Sequence, residues 1–181
     1  MSAAGGLDEL LSTPTSLLVD NAIGSELELT ALGDLRSSKA TVYDFWTTRC
    51  TNCPAALDSL DAIARKRPSV TFVGVNIDDA GAAKDLVSKA ALQGRWTSLT
   101  HAHISEDDKE KAKNILGMRT VPFYVVVGQD GRVLRHGNAK ALPLPSPEAL
   151  DAVLMLQTAA TPPDNNSKPN ENDPAAANAA A

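Results

Sequence analysis

The chain has 181 residues, of which 43% are hydrophobic and 22% are charged, and its formal net charge is −5 at pH 7. This length and apolar content predict one globular domain with one ordinary core. The charge balance argues against nucleic-acid binding, which needs a marked excess of Lys and Arg. The two cysteines are too few for a disulfide-stapled miniprotein or a multi-thiolate zinc module.

The first eleven residues contain no Lys or Arg and no long apolar run, so we expect no secretory signal. Apolar runs elsewhere are far shorter than the ~20 residues of a membrane-spanning helix. We therefore expect a cytoplasmic protein without membrane contact. In that compartment free thiols stay reduced unless they carry out chemistry.

Residues 1–39 are interpreted as an N-terminal extension. Within it, Leu17-Leu18-Val19 and the Leu27/Leu29 pair are candidates for edge strands, with a turn at Asp20–Gly24 between them.

The next 120 or so residues predict alternating strands and helices, as expected of an α/β domain. Apolar β-rich runs predict the strands, and apolar residues at helical spacing predict the helices. In chain order the predicted elements are strand 40–46, helix 53–67, strand 69–76, helix 79–92, a doubtful strand 96–104, helix 105–116, strand 123–128, strand 132–136 and helix 146–156.

Local signals support several of these boundaries. Ser105 with Asp108 three residues later resembles a capping box, and Gly117 is positioned to end that helix. Asp130-Gly131 predicts a tight hairpin turn, and Pro147 fits the first turn of the last helix. The parallel crossovers and the hairpin together predict a central mixed sheet with helices on both faces, a three-layer α/β/α domain over residues 40–156.

The chain after Leu156 contains no Leu, Ile, Val or aromatic residue and is rich in Ala, Asn and Pro. Such a segment buries too little apolar surface to offset the entropy of ordering. Residues 157–181 are predicted to be a disordered tail.

Both cysteines lie in one motif, Cys50-Thr51-Asn52-Cys53, between a predicted buried strand and a helix. The partial positive charge of a helix N-terminus stabilises a thiolate and lowers its pKa. Cysteines at this spacing can also close a disulfide in the first helical turn, which favours thiol–disulfide exchange. A metal site and a pair of inert buried thiols are the alternatives.

Position within the motif predicts the two roles. Cys50 precedes the helix, is expected to be the more exposed thiol, and is the candidate nucleophile, with Arg49 adding positive charge beside it. Cys53 lies one turn inside and is the candidate resolving thiol.

At this point the sequence resembles the thioredoxin superfamily. Residues 45–53, FWTTRCTNC, match the family's Phe-Trp-x-x-x-CxxC signature, and Asp44 falls on its buried acid. Thr120-Val121-Pro122, just before a hairpin, falls on its cis-proline loop, and Gly137 matches a glycine after the last strand. The long segment between Asp78 and Ser105, together with Asn-Ile-Asp after the second strand, is more similar to the TlpA, nucleoredoxin and tryparedoxin branches.

The resemblance implies a thioredoxin-like fold and further site residues. Pro122 would be cis and packed against the cysteines, and the Val121 backbone would bind a partner in strand-like fashion. Asp44 would exchange a proton with Cys53 through a raised pKa. The partner-binding residues implied are Trp46, Arg49, Thr51, Asn52, Val121 and Pro122. Asp44 could instead be a solvated strand residue. Pro122 could instead be an ordinary proline at the start of a strand, since most X–Pro bonds are trans.

The sequence also departs from the family pattern at three places. Arg49 replaces the usual Trp before the first cysteine, which favours an acidic patch on the partner. Thr51-Asn52 replaces a Gly-Pro or Pro-Pro dipeptide that tunes the redox potential. Gly74 stands where a lysine often accompanies the buried acid.

The three histidines are further candidates for chemistry. His101 and His103 would share one face of an extended segment, and with both cysteines they would make a four-ligand zinc set. Solvated or edge-strand histidines are the simpler interpretation. His136 is expected at the surface.

The sequence thus predicts a thiol–disulfide oxidoreductase whose substrates are disulfide-containing proteins and whose electrons come from an upstream dithiol or flavoenzyme system. No tightly bound cofactor or metal is implied, and we expect a monomer unless the chain belongs to a complex. The alternative is a thioredoxin-fold binding or assembly subunit that keeps the motif but turns over slowly.

Overall fold

The computed structural model describes residues 9–17, 29–31, 33 and 39–159. The turn expected at Asp20–Gly24 and the tail expected beyond residue 159 lie outside these ranges.

The described residues form a helical turn at 9–11, followed by the strands and helices of the domain. The strands are β1 (Pro14–Leu17), β2 (Leu29–Ala31), β3 (Ala40–Trp46), β4 (Val70–Asn76), β5 (Thr100–His103), β6 (Phe123–Gly128) and β7 (Val133–Asn138). The helices are α1 (Cys53–Ala64), α2 (Ala80–Leu92), α3 (Glu106–Leu116) and α4 (Pro147–Ala159).

The strands make one mixed sheet in the order β2-β1-β5-β4-β3-β6-β7. The pairs β3–β4 and β4–β5 are parallel, whereas β1–β2, β1–β5, β3–β6 and β6–β7 are antiparallel. The expected hairpin is present as β6 and β7. The two N-terminal strands are only partly as expected: β2 lies at the edge of the sheet, whereas β1 ends at Leu17, where the expected strand begins, and lies between β2 and β5. Strand β3 has a neighbour on each side, and all seven of its residues are buried.

Two buried clusters cover the two faces of this sheet. One combines residues of α1, α2 and α4 with one set of strand residues, and the other combines α3 and the N-terminal helical turn with the alternate set. The predicted α/β/α layering is confirmed. None of the described helices is long and apolar enough to cross a membrane.

Helix caps follow the local sequence signals. The Asp79 carboxylate accepts a hydrogen bond from the Ala82 N–H at the start of α2, and the Ser105 hydroxyl accepts one from the Asp108 N–H at the start of α3. Gly117, at φ +64°, ends α3 in the left-handed conformation that glycine adopts most easily.

Three predicted boundaries are wrong by three residues or more. Helix α1 ends at Ala64 instead of residue 67, because Pro68 disfavours helical geometry in the residue before it. Strand β5 begins at Thr100 instead of residue 96, because Trp96 adopts φ +60°, which is incompatible with a strand. Helix α4 continues three residues past Leu156, to Ala159.

The loop at residues 94–99 is fixed to the outer side of α1 by two of the helix's acids. Asp58 accepts two hydrogen bonds from the Arg95 guanidinium, at 2.8 and 2.7 Å, and one from the Trp96 indole N–H at 2.8 Å. Asp61 accepts the Ser98 backbone N–H at 2.8 Å. Because α1 begins at Cys53, this loop helps to hold the helix that carries the cysteine motif.

Asp58→Ala is therefore expected to lower the free energy of unfolding by about 1–3 kcal/mol, because it leaves the indole N–H of the buried Trp96 without its acceptor. Urea unfolding of the disulfide form measures the loss. Glu110→Ala is the control: it removes an exposed ion pair to Lys113 and is expected to change stability by less than about 0.5 kcal/mol. Equal losses in the two variants would contradict the proposed fixing of α1.

Candidate active site

Cys50 and Cys53 form a disulfide where β3 passes into α1, with their Cα atoms 5.4 Å apart. Cys53 is fully buried, whereas Cys50 is half-buried. A second molecule can therefore reach the sulfur of Cys50 and not that of Cys53. The predicted difference in exposure between the two thiols is confirmed.

The first amide of α1 is directed at the outer sulfur. The Cys53 N–H donates to Cys50 Sγ at 3.1 Å, and the N-cap residue Asn52 makes no side-chain hydrogen bond to the helix. Pro54, in the first turn, has no N–H to offer. The sulfur of Cys50 thus takes the place of a side-chain cap, where negative charge is favoured by the helix dipole.

The loop before β6 meets the cysteines from a distant part of the chain. The Val121–Pro122 peptide bond is cis, and the Val121 carbonyl oxygen lies 3.7 Å from Cys50 Sγ. Pro122 is buried and Val121 is half-buried, so part of the Val121 backbone faces the same side as Cys50. The cis geometry implied by the resemblance is present.

Asp78 anchors the loop that carries the motif, and sequence reasoning missed it. Its carboxylate accepts the Thr48 N–H at 2.9 Å, the Thr48 hydroxyl at 2.6 Å and the Asn76 amide at 2.7 Å. Burial raises the pKa of Asp78, but the hydrogen bonds from Thr48 and Asn76 outweigh it and hold the pKa below its ordinary range. The available signal was Asn-Ile-Asp at the end of β4, because parallel neighbours β3 and β4 end at the same edge.

Asp44 is 1% exposed, which rules out the solvated alternative. Neither carboxyl oxygen has a hydrogen-bond partner among the described residues. Burial raises the pKa of Asp44 well above the ordinary value for aspartate, because desolvation penalises the charged form. The carboxyl group therefore holds its proton to a higher pH than a surface aspartate does.

Asp44 belongs to a row of neighbouring positions across the sheet. In register, Asp44 is paired with Gly74 on β4 and with Tyr124 on β6, and Gly74 is paired with His101 on β5. A Cβ added at Gly74 would lie 3.2 Å from His101 Nδ1 and 3.4 Å from Trp46 Nε1. These two side chains fill the space above Gly74, which explains why no lysine stands there.

His101 is buried, at 3% exposed, and the expectation of a solvated or edge-strand histidine is wrong for it. The reason is topological, since β1 pairs with β5 and makes it an interior strand. Burial lowers the pKa of His101, and its Nε2 lies 2.9 Å from the Trp96 carbonyl oxygen. Because a carbonyl only accepts, Nε2 carries the proton and Nδ1 is left as an acceptor.

The zinc alternative finds no support in the described ranges. No group of three or more His, Cys, Asp or Glu side chains lies there in an arrangement that could hold a metal ion. The two cysteine sulfurs are bonded to each other, and His101 is engaged with a backbone carbonyl. His136 is exposed, as expected.

The expected partner-binding residues do not all reach the surface. Arg49, Thr51 and Asn52 are exposed around Cys50. Trp46 is only 1% exposed and packs at 6.3 Å between ring centroids against Trp96. The expectation that Trp46 contacts a partner is wrong, because the end of β3 turns its indole into the core beneath the motif.

The raised pKa of Asp44 has a consequence for stability. Above pH ~4 the unfolded chain releases this proton while the folded chain keeps it, so folding loses free energy as the pH rises toward the folded-state pKa. Asp44→Asn removes that penalty. We expect the variant to be more stable than the wild type at pH 7 by about 1 kcal/mol or more, since a tenfold difference in proton affinity is worth about 1.4 kcal/mol.

Urea unfolding of the disulfide form between pH 4 and pH 9 measures this effect, with a difference that grows as the pH rises. Asp85→Asn, which removes an exposed carboxylate from α2, is the control and is expected to show no such growth. A constant difference between Asp44→Asn and the wild type at all these pH values would contradict the raised pKa.

Comparisons with known proteins agree with this geometry. Residues 38–133 match the family model described as thioredoxin-like. The soluble secreted antigen MPT53 of Mycobacterium tuberculosis, and that of Mycobacterium bovis, are 34% identical over 100 residues, which are 51% of this chain and 56% of theirs. The chain thus spans little more than half the length of these curated relatives.

Solved structures show the same fold. A secreted disulfide oxidoreductase of M. tuberculosis, homologous to E. coli DsbE, is 24% identical, covers 82% of this chain and 98% of its own, and has a TM-score of 0.55. A thioredoxin-like protein from Aeropyrum pernix is 16% identical, covers 84% and 96%, and has a TM-score of 0.57. With the family model matching more than half of its residues, this chain belongs to the thioredoxin-like family.

Proposed function

We propose that this protein is a thiol–disulfide oxidoreductase that exchanges electrons with the disulfides of protein partners. The observation that carries the proposal is the Cys50–Cys53 disulfide at the start of α1, with the reachable sulfur beside the Val121 carbonyl. The structural relative from M. tuberculosis is named as a disulfide oxidoreductase, which supports the same chemistry.

The reaction starts from the dithiol form. The Cys50 thiolate attacks one sulfur of the partner's disulfide, forms a mixed disulfide and releases the partner's other sulfur as a thiolate. Cys53, as a thiolate, then attacks the Cys50 sulfur. The partner leaves with both sulfurs reduced, and the two electrons it gained are balanced by formation of the Cys50–Cys53 disulfide.

The two sulfurs face different environments, and the proposed steps use that difference. The helix N-terminus favours the charged form of Cys50, so the nucleophile is available near neutral pH. Cys53 is fully buried and must lose its proton before it attacks. Asp44, whose pKa burial raises, is the group we propose for that proton exchange, as the resemblance implies.

The exposed backbone beside Cys50 suits an extended partner segment. Val121 is half-buried, and its carbonyl oxygen lies 3.7 Å from Cys50 Sγ. Arg49, Thr51 and Asn52 form the exposed rim on the other side of the sulfur. A partner bound between these segments would place its disulfide over Cys50.

The electron source is proposed to be an upstream dithiol or flavoenzyme system that reduces the Cys50–Cys53 disulfide after each turnover. The two sulfurs carry the electrons themselves, so the proposed cycle uses no resident cofactor. A cytoplasmic location and a monomeric state stay predictions. The curated relatives are named as secreted proteins and do not support the cytoplasmic assignment.

Reduction of insulin by dithiothreitol tests the proposal. The wild-type protein is expected to accelerate it, and Cys50→Ser to return the rate to the uncatalysed background, since the nucleophile is gone. In a separate incubation with dithiothreitol removed, pre-reduced Cys53→Ser is expected to accumulate a mixed disulfide with insulin, because no second thiol of the protein resolves it; added dithiothreitol then cleaves it.

The comparison of variants decides between the two function classes. Urea unfolding of Cys50→Ser beside the reduced wild-type protein shows whether loss of activity reflects loss of the fold. Equal, negligible rates for wild type and Cys50→Ser, in folded proteins, would overturn the enzyme proposal and favour a binding or assembly subunit.

A further inference from the structure

A basic groove is lined in part by Val121, and Arg49 is not among its lining residues. It has a volume of about 220 Å³ and is open to solvent. We call it the cis-proline groove. Its lining residues come from the ends of β3 and β4, from α3 and from the loop before Pro122: Thr47, Ile77, Lys109, Lys113, Met118, Arg119, Thr120 and Val121.

The lining combines an apolar floor with cations. Ile77 and Met118 are 5% and 3% exposed and are buried at its base. Lys109, Lys113 and Arg119 carry the charge, and the lining residues include no carboxylate. This is a local positive surface on a chain whose formal net charge is −5.

Each of the two lysines has an ion-pair partner on its own helix. Lys109 contacts Glu106 and Lys113 contacts Glu110, each three residues away on the same helix. The two glutamates are 68% and 54% exposed. Lys113 is itself 38% exposed, and an exposed pair of this kind contributes under about 1 kcal/mol, so a carboxylate bound in the groove can replace Glu110 at little cost.

The groove that includes Arg49 has the other sign. This groove, about 490 Å³ in volume, is lined by Arg49 together with the carboxylates of Asp78, Asp79 and Glu106. Arg49 alone favours an acidic patch on the partner. In this groove, however, such a patch would meet the three carboxylates. The electrostatics therefore assign the acidic part of a partner to the cis-proline groove.

We propose that the cis-proline groove binds carboxylate side chains of the disulfide substrate, so that the favoured substrates carry Asp or Glu on one side of the reactive cysteine. This inference rests on the proposed function, because the groove matters only if Cys50 reacts with partner disulfides. A strand advances about 3.3 Å per residue, so side chains two or three residues from the cysteine of an extended partner lie about 7–10 Å along it.

Single-turnover kinetics with short peptides test the inference. Each peptide carries one cysteine as a mixed disulfide with 2-thiopyridine, an uncharged leaving group. Attack by the reduced protein's Cys50 thiolate transfers the peptide sulfur to Cys50 and releases 2-thiopyridone, whose absorbance gives the rate. The peptides carry two Glu residues before the cysteine, two after it, or Gln at the same positions.

One of the two Glu placements is expected to react about fivefold faster than its Gln counterpart, the gain that one well-placed exposed ion pair provides. The advantage is expected to disappear in about 1 M salt, where screening acts over about 3 Å. It is also expected to disappear in Lys113→Glu/Arg119→Glu. The control is Lys111→Glu/Arg135→Glu, which makes the same change of net charge outside the groove lining and should keep the advantage.

Two results would overturn the inference: no faster reaction with either Glu placement, or equal loss of the advantage in both double variants, which would indicate attraction by overall charge alone. A wild-type protein that fails to react with the Gln peptides as well would instead count against the proposed function. Reaction with the Gln peptides but no preference for Glu leaves that function standing and removes only the acidic substrate class.

Discussion

The site depends on one contact, the hydrogen bond from the first amide of α1 to the sulfur of Cys50. This bond exists only if the helix begins at Cys53 and if Cys50 stays just ahead of it. Both conditions are met by the surrounding structure. Strand β3 is buried along its whole length, Asp78 holds the intervening loop through Thr48, and Asp58 and Asp61 tie the outer side of α1 to the loop at residues 94–99. The effect of the α1 dipole, which falls off within one helical turn, therefore acts on the sulfur of Cys50.

Behind this contact the protein buries polar groups that do little for stability. Asp44, Trp46, His101 and Tyr124 each bury a polar side-chain atom without a hydrogen-bond partner among the described residues. Such atoms cost free energy, and they are concentrated on the sheet face that carries α1. Functional sites are where a fold tolerates costs of this kind. Burial raises the pKa of Asp44 and lowers that of His101, because desolvation favours the neutral form of both side chains.

Much of this could be predicted from sequence, where the signal is local. Seven consecutive β-rich residues defined β3, the Cys-x-x-Cys spacing placed both sulfurs at a helix start, and Ser105 and Gly117 marked the ends of α3. The resemblance supplied Pro122 and Asp44, which no periodicity would have singled out.

Prediction from sequence fails where the structure around a residue is determined by residues that are distant in the chain. The burial of His101 depends on the pairing of β1 with β5, which joins residues far apart in the chain, so the sequence favoured an edge position for it. The expected strand at residue 96 is interrupted by the backbone conformation of Trp96, which contacts with α1 hold in place. The charge that lines each of the two grooves likewise depends on segments that meet only in the folded chain.

The pKa of Cys50 in the reduced protein tests the central claim most directly. The rate of alkylation by iodoacetamide, followed against pH in Cys53→Ser so that one thiol alone reports, gives this pKa. The claim that the N-terminus of α1 stabilises the thiolate predicts a pKa below the ~8.5 of a free cysteine. A value at or above ~8.5 would show that the helix amide does not prime this sulfur, and would contradict the account.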